Sequence, residues 1–319
     1  MGFSRALGQN KYNTRTHKYH VAMNWFIVLA IAALITAPLN TRAFSIAESG
    51  VVNTDKSTLS AAFVAKRNLR EALESNNFSS KAKPVQDAVD ELARFNPTKG
   101  DPISSSLFFG NWQALTSPTY PGRIEGTPDD VYKFTLGRMS FNMFQPKGLV
   151  CTLGTTMNPV EPSSSDCSDD DWSERQSFSY STETAITVAT KCGVEIPAIL
   201  IADATCRKSS QKGKENRVEV MFCGGSLKQR GEIGKENANL WAKTFTGAYL
   251  EADKTRSRRF RLLRRVLRWA FRVTPPSDES PYKYELGRPL KGWLDILYLD
   301  DELRVTRGNA GSIVIAERT

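Results

Sequence analysis

The densest chemistry in the 319-residue chain lies between residues 254 and 273, which hold nine basic side chains and no acidic one (Lys254, Arg256, Arg258, Arg259, Arg261, Arg264, Arg265, Arg268, Arg272). At helical spacing Arg261, Arg264, Arg265, Arg268 and Arg272 share one arc, and Leu263, Leu267 and Trp269 stand on the opposite, apolar one. Pro275 and Pro276 then stop a helix. A cationic arc backed by Leu, Phe and Trp is the pattern of a helix lying flat in an anionic membrane interface. The like pairs Arg261/Arg265, Arg264/Arg268 and Arg268/Arg272 oppose a free helix by roughly 0.2–0.5 kcal/mol each. An anionic lipid surface reverses that sign at about 1 kcal/mol per Arg. Docking of the apolar arc on the protein's own core, or capture of RNA or an acidic protein by the cationic arc, are the competing readings.

Other reactive residue types are scarce. Both histidines, His17 and His20, precede residue 44, so a chain trimmed there lacks Ser-His, Cys-His and His-metal chemistry. The five cysteines (Cys151, Cys167, Cys192, Cys206, Cys223) are odd in number and show no Cys-x-x-Cys spacing, which suits buried thiols in a reducing compartment. No catalytic residue, cofactor or metal is expected.

Residues 1–24 carry no acid, and Trp25–Ala37 is a thirteen-residue, mostly apolar run. That run is too short to span a bilayer and fits a signal-peptide core. Residues 1–43 therefore read as a signal peptide, with a retained anchor as the alternative. Removing them leaves 276 residues with 38 basic and 34 acidic groups. Setting aside the nine basic residues of 254–273 turns the balance negative, so the positive charge is local. A nucleic-acid groove expects a broad basic face, and none is expected here.

The elements that must position these residues follow. Apolar spacing predicts helices over 58–76 and 82–94, the second with Pro84 in its first turn and ended by Asn96-Pro97. Strand-like runs then occupy 107–115, 131–136, 138–144, 148–153, 176–189, 194–205, 217–223, 241–250, 292–299, 302–307 and 311–316. So many short strands without crossover helices predict a mainly β fold, an antiparallel barrel preceded by N-terminal helices. The Ser-, Pro- and Asp-rich stretch 155–175 reads as a solvated acidic loop inserted in that barrel, and 254–273 as an inserted basic amphipathic helix. Gly110-Asn111-Trp112 opens the first strand, where Gly permits a bend and Trp112 closes one barrel end. Asp300-Asp301 makes a hairpin turn, and adjacent acids in a turn are expected to be solvated. Arg304 and Arg307 point to opposite faces of one strand. One of them would stack on Trp112, pair with Asp300, or reach the polar head of a ligand in the barrel, so Trp112, Arg304 and Arg307 are the candidate ligand residues.

Three blocks carry a family resemblance. Gly292 to Ile313 resembles the closing motif of the plastid lipid-associated proteins, the fibrillins. Glu91 to Thr98 followed by Gly110 to Ser117 is similar to their opening signature, and Leu136-Gly137-Arg138 with Phe141-Asn142 and Pro146 to a middle block. The resemblance runs over residues 60–317 and implies a lipocalin-like barrel at 98–319, preceded by a helical segment at 58–97. It further implies a plastid protein at thylakoid membranes or plastoglobules that binds or organises carotenoids, quinones or other lipids, without a firmly attached reaction. The junction Ala43-Phe44-Ser45 resembles the two-part leader of algae with secondary plastids, with 44–57 as transit segment or linker. The expected partners are an apolar lipid or isoprenoid ligand and an anionic plastid membrane, with an acidic protein as a further possibility. An enzyme of isoprenoid or pigment metabolism in the same barrel, or an adaptor using the Arg-rich helix, are the alternatives.

Overall fold

Two helices lead into the sheet, α1 (Lys56–Ser75) and α2 (Lys83–Ala93). The structure is a computed structural model, and it describes residues 56–98, 100–162, 177–255, 265, 269 and 272–319. The expected signal peptide, the transit segment up to residue 55, the acids at 166–174 of the expected 155–175 loop and most of the basic segment lie outside the described residues.

Pro84 sits in the first turn of α2, where its missing N–H would have no helical partner. The helix buries Val85, Ala88, Val89 and Leu92. On α1 the buried stripe is Ala65, Leu69 and Leu73, whereas Phe63 is 65% exposed. Both helices pack on the outer face of the last three strands, against Tyr298, Leu303, Val305, Ile313 and Ile315.

The strands are β1 (Trp112–Ala114), β2 (Lys133–Thr135), β3 (Val150–Met157), β4 (Val160–Pro162), β5 (Ser177–Ala189), β6 (Glu195–Lys208), β7 (Arg217–Gln229), β8 (Val273–Thr274), β9 (Lys283–Leu299), β10 (Leu303–Gly308) and β11 (Ile313–Arg318). Hydrogen bonding follows the order β3-β1-β11-β10-β9-β7-β6-β5, and β5 pairs back to β3. Eight antiparallel strands thus close into a barrel, leaving none of the eight with an open edge. β2, β4 and β8 are short additions on β3, β5 and β9.

Along β5 the even-numbered residues Phe178, Ile186 and Val188 are buried in the interior, as the pleat requires. Two apolar clusters plug the two ends of the lumen. One holds Ile103, Phe108, Trp112, Phe178, Val220 and Leu299. The other holds Phe134, Phe144, Val188, Leu227, Trp241 and Tyr284. Between them the waist is polar, with Thr184, Thr306 and Asn158 buried and the Thr156 and Thr184 hydroxyls 3.3 Å apart.

Two expected strands are helical. Residues 138–144 begin in the last two residues of α3 (Leu136–Met139) and continue as a turn, where Phe141 and Asn142 have positive φ. Residues 241–250 fall in α4 (Lys235–Phe245) and α5 (Ala248–Lys254), hinged at Gly247 with φ +74°. Trp241 and Phe245 stand at i,i+4 and bury in the second plug, a helical spacing that their aromatic, β-prone neighbours disguise. The expected strand 292–299 begins nine residues earlier, at Lys283. Gly287 and Pro289 obscure that start, and there the register against β7 shifts between Phe222 and Gly224. A Cβ on Gly225 would lie 2.6 Å from Ile201 O and 2.8 Å from the Tyr284 ring, so only glycine permits this approach.

Candidate functional site

The segment ahead of β1 forms the plug over one barrel end. Phe108, Phe109 and Phe178 meet edge to face, with centroids 5.1–5.9 Å apart. Trp112, fully buried, donates its indole N–H to Phe108 O at 3.2 Å, so it closes this end as its position after Gly110 suggests. Gly110 holds φ +118°, and a Cβ there would stand 2.6 Å from Arg318 Nη1. Arg318 was not among the residues singled out from sequence. Its guanidinium lies 4.3 Å over the Trp112 ring and donates to the carbonyls of Phe109, Asp301 and Leu107. The signal was present, since Trp112 pairs with Arg318 in register, but it required knowing that the first and last strands are neighbours.

Arg304 comes from β10 into the same interior. It is 2% exposed, with its Cζ 5.0 Å from the Trp112 ring and 5.9 Å from the Tyr180 ring. Its hydrogen bonding is a single long contact, Nη2 to Asn158 Oδ1 at 3.5 Å. Among the described residues, Arg304 Nη1 is the buried side-chain N or O atom that lacks any hydrogen-bond partner, and no carboxylate stands within ion-pair range. Burial pushes the Arg304 pKa below the ordinary guanidinium value, with Tyr180 and Cys206 opposing, yet a guanidinium stays protonated at neutral pH. Burying an unpaired charge costs several kcal/mol. Cation–π contacts return about 2 kcal/mol when desolvated, so they offset only part of it. The neighbouring Tyr180 phenol and Cys206 thiol are pushed up by burial and stay neutral.

Arg307, the other expected ligand residue of β10, faces outward. Its Nη2 lies 3.1 Å from Asp90 on α2, so it belongs to the helix–barrel contact rather than to the lumen. Neither arginine pairs with Asp300. That carboxylate is buried, contrary to the solvated turn expected. It accepts from Lys66 Nζ at 2.9 Å and from the Tyr298 hydroxyl at 2.7 Å, and from the backbone N–H of Glu302 and Leu303 at 2.9 and 2.7 Å. Burial would raise its pKa, but these donors outweigh burial and hold it below the usual carboxylate range. Asn96 Oδ1 accepts from Leu299 N and from the Thr98 backbone and hydroxyl. This gives the Asn-Pro-Thr sequence a structural task, tying the end of α2 to the end of β9.

Elsewhere on the outer face buried cations are matched. Arg217 forms two hydrogen bonds with Asp295, at 2.7 and 2.9 Å, and stacks 3.6 Å from Trp293. Arg207 pairs with Glu219 at 2.9 Å. A recess of about 430 Å³ lies against the aromatic plug, lined by Ile103, Phe109, Phe178, Lys208 and Ser209. Of the cysteines, Cys151 and Cys206 are buried, and burial pushes the Cys151 thiol to about 12. Cys192 is exposed on the β5–β6 turn. Among the described residues no cluster of His, Cys, Asp or Glu could hold a metal.

Of the expected membrane-facing residues, Arg261, Leu263, Arg264, Leu267 and Arg268 lie outside the described residues. Arg265 and Trp269 are helical and exposed, Trp269 by 79%, and Arg272 is exposed with φ +45°. Among the described residues no helix is long and apolar enough to cross a membrane.

No curated protein and no solved structure matches the chain. The PAP_fibrillin family model matches residues 193–317, which run from the β5–β6 turn through β11 and include Arg304 and the paired acids of the last hairpin. This stretch, which supplies β6, β7, β9, β10 and β11 of the closed eight-stranded barrel, is thus similar to the fibrillin family.

Proposed function

We propose that this protein is a non-enzymatic lipid- or isoprenoid-binding protein of the plastid, working at thylakoid or plastoglobule surfaces. The observation that carries the reading is the fibrillin match over most of the barrel's hydrogen-bonded strands. Support for surface docking comes from Trp269. A tryptophan exposed by 79% on a helical residue, four positions from the exposed Arg265, is costly in water and at home in a lipid headgroup layer. In this reading Arg261, Arg264, Arg265, Arg268 and Arg272 meet the anionic lipid while Leu263, Leu267 and Trp269 enter the interface. An apolar molecule is held by the barrel, with Trp112 and Arg304 at its inner end. The signal peptide and transit segment deliver the chain.

Flotation of the purified protein with anionic vesicles tests the docking. The wild type is expected to float. The variant Arg264→Glu/Arg265→Glu/Arg268→Glu, which loses three attractive charges at about 1 kcal/mol each, is expected to stay at the bottom. Equal flotation of the two would remove the basic segment from the account.

A further inference from the structure

We infer that the waist of the barrel is a binding site for a single carboxylate, anchored by Arg304. The inference deepens the lipid-binding reading and rests on the barrel taking a ligand, but not on membrane docking.

The geometry singles out one residue. Three buried arginines are available for comparison, and Arg207 and Arg217 each have a carboxylate within 3 Å. Arg304 is the most buried of the three and has none among the described residues. Its Nη1 has no acceptor, and Asn158 holds the other terminal nitrogen only at 3.5 Å. Asn158 is held in place through its Nδ2, which donates to Met157 O, Ser181 O and Thr182 Oγ1, so its Oδ1 stays at that long distance. The side chain therefore has rings on two sides and an open Nη1, which is the arrangement of a cation awaiting an anionic oxygen.

Charge sets the number of ligand charges at one. A second cation nearby, Arg318, directs Nε, Nη1 and Nη2 to three backbone carbonyls. A phosphate would bring a second negative charge with no counterpart. A carboxylate would match the single charge of Arg304.

The surroundings set the rest of the ligand. Trp112, Tyr180 and Cys206 border Arg304, and Phe178 stands two residues from Tyr180 on the same interior face of β5. Phe178 also lines the recess outside the aromatic plug. Phe178 thus separates the waist from a recess of about 430 Å³, and an apolar tail would reach that recess by displacing the Phe178 ring.

Calorimetric titration of the lipid-free full chain with decanoate, decanol and acetate tests this. Decanoate is expected to bind at least about 10-fold more tightly than decanol, the factor that one charge-assisted hydrogen bond supplies. Arg304→Gln is expected to bring decanoate down to the decanol level and leave decanol unchanged. Acetate binding as tightly as decanoate would assign the site to a free small carboxylate, and weak acetate to a tailed one. Both results keep the anchor. If decanoate and decanol bind the wild type equally, or Arg304→Gln binds decanoate as the wild type does, the carboxylate site is overturned while lipid binding stands. If none of the three binds, both fall. Should Arg304→Gln not fold, the wild-type comparison of decanoate with decanol decides alone.

Discussion

Arg304 and Arg307 stand three residues apart on β10 and face opposite sides of one strand, and the two sides follow different rules. Outside, charges near β10 are paired. Arg307 has Asp90, Asp300 has Lys66, Arg217 has Asp295. These pairs fasten the helix layer and lock the sheet. Inside, Arg304 is placed among rings, hydroxyls and a neutral thiol with its outer nitrogen open. A protein needing only stability would fill that position with an apolar side chain, since replacing a buried charge by a well-packed hydrophobic residue is often neutral or favourable. The charges on the outer face fasten the fold, and the inner face keeps a charge without a carboxylate partner among the described residues.

Substitutions can break this contrast, in descending order of effect. Trp112→Ala removes the fully buried indole under Arg304 and Arg318, and is expected to destabilise by about 3–5 kcal/mol in denaturant unfolding. Asp300→Asn keeps the shape of the turn but loses the charge that Lys66, Tyr298 and two amides address. A loss of about 2 kcal/mol is expected. The sign of its pH dependence is fixed. A carboxyl whose folded pKa is lowered contributes stability above its ordinary pKa, and that contribution is lost as pH falls through the folded value. The wild type should therefore lose stability on acidification more steeply than Asp300→Asn, and parallel curves would contradict the assignment. Arg304→Met in ligand-free protein is expected to be neutral or stabilising by about 1 kcal/mol. A loss of several kcal/mol would mean that Arg304 is a structural post like its outer neighbours. Arg307→Ala is expected to cost under about 1 kcal/mol, because its pair with Asp90 is half exposed.

Much of this was legible in the residues. The alternation along Ser177–Ala189 and in the last hairpin gave the barrel strands, and period two put Arg304 and Arg307 on opposite faces. Which face was interior depended on the helices covering Leu303, Val305, Ile313 and Ile315, a tertiary fact. Residues 241–250 were misread because Trp241 and Phe245 are β-prone types, yet their i,i+4 spacing is what buries them together. The first half of β9 was hidden by Gly287 and Pro289, which a strand interior rarely accepts and which sit here at a register break. Asp300 was read as solvated because acids in turns usually are. Its burial depends on Lys66, more than two hundred residues away in sequence. The role of Arg318 is not legible in its own strand, because two of its three carbonyl partners come from the segment ahead of β1.

The most direct measurement is mass spectrometry of the small molecules released from the native protein and from Arg304→Gln prepared in the same way. The wild type is expected to release an apolar compound bearing one acidic head group, and the variant to lose it. A well-folded wild type that releases only neutral compounds, or nothing, would contradict the view that the open nitrogen of Arg304 is kept for a ligand.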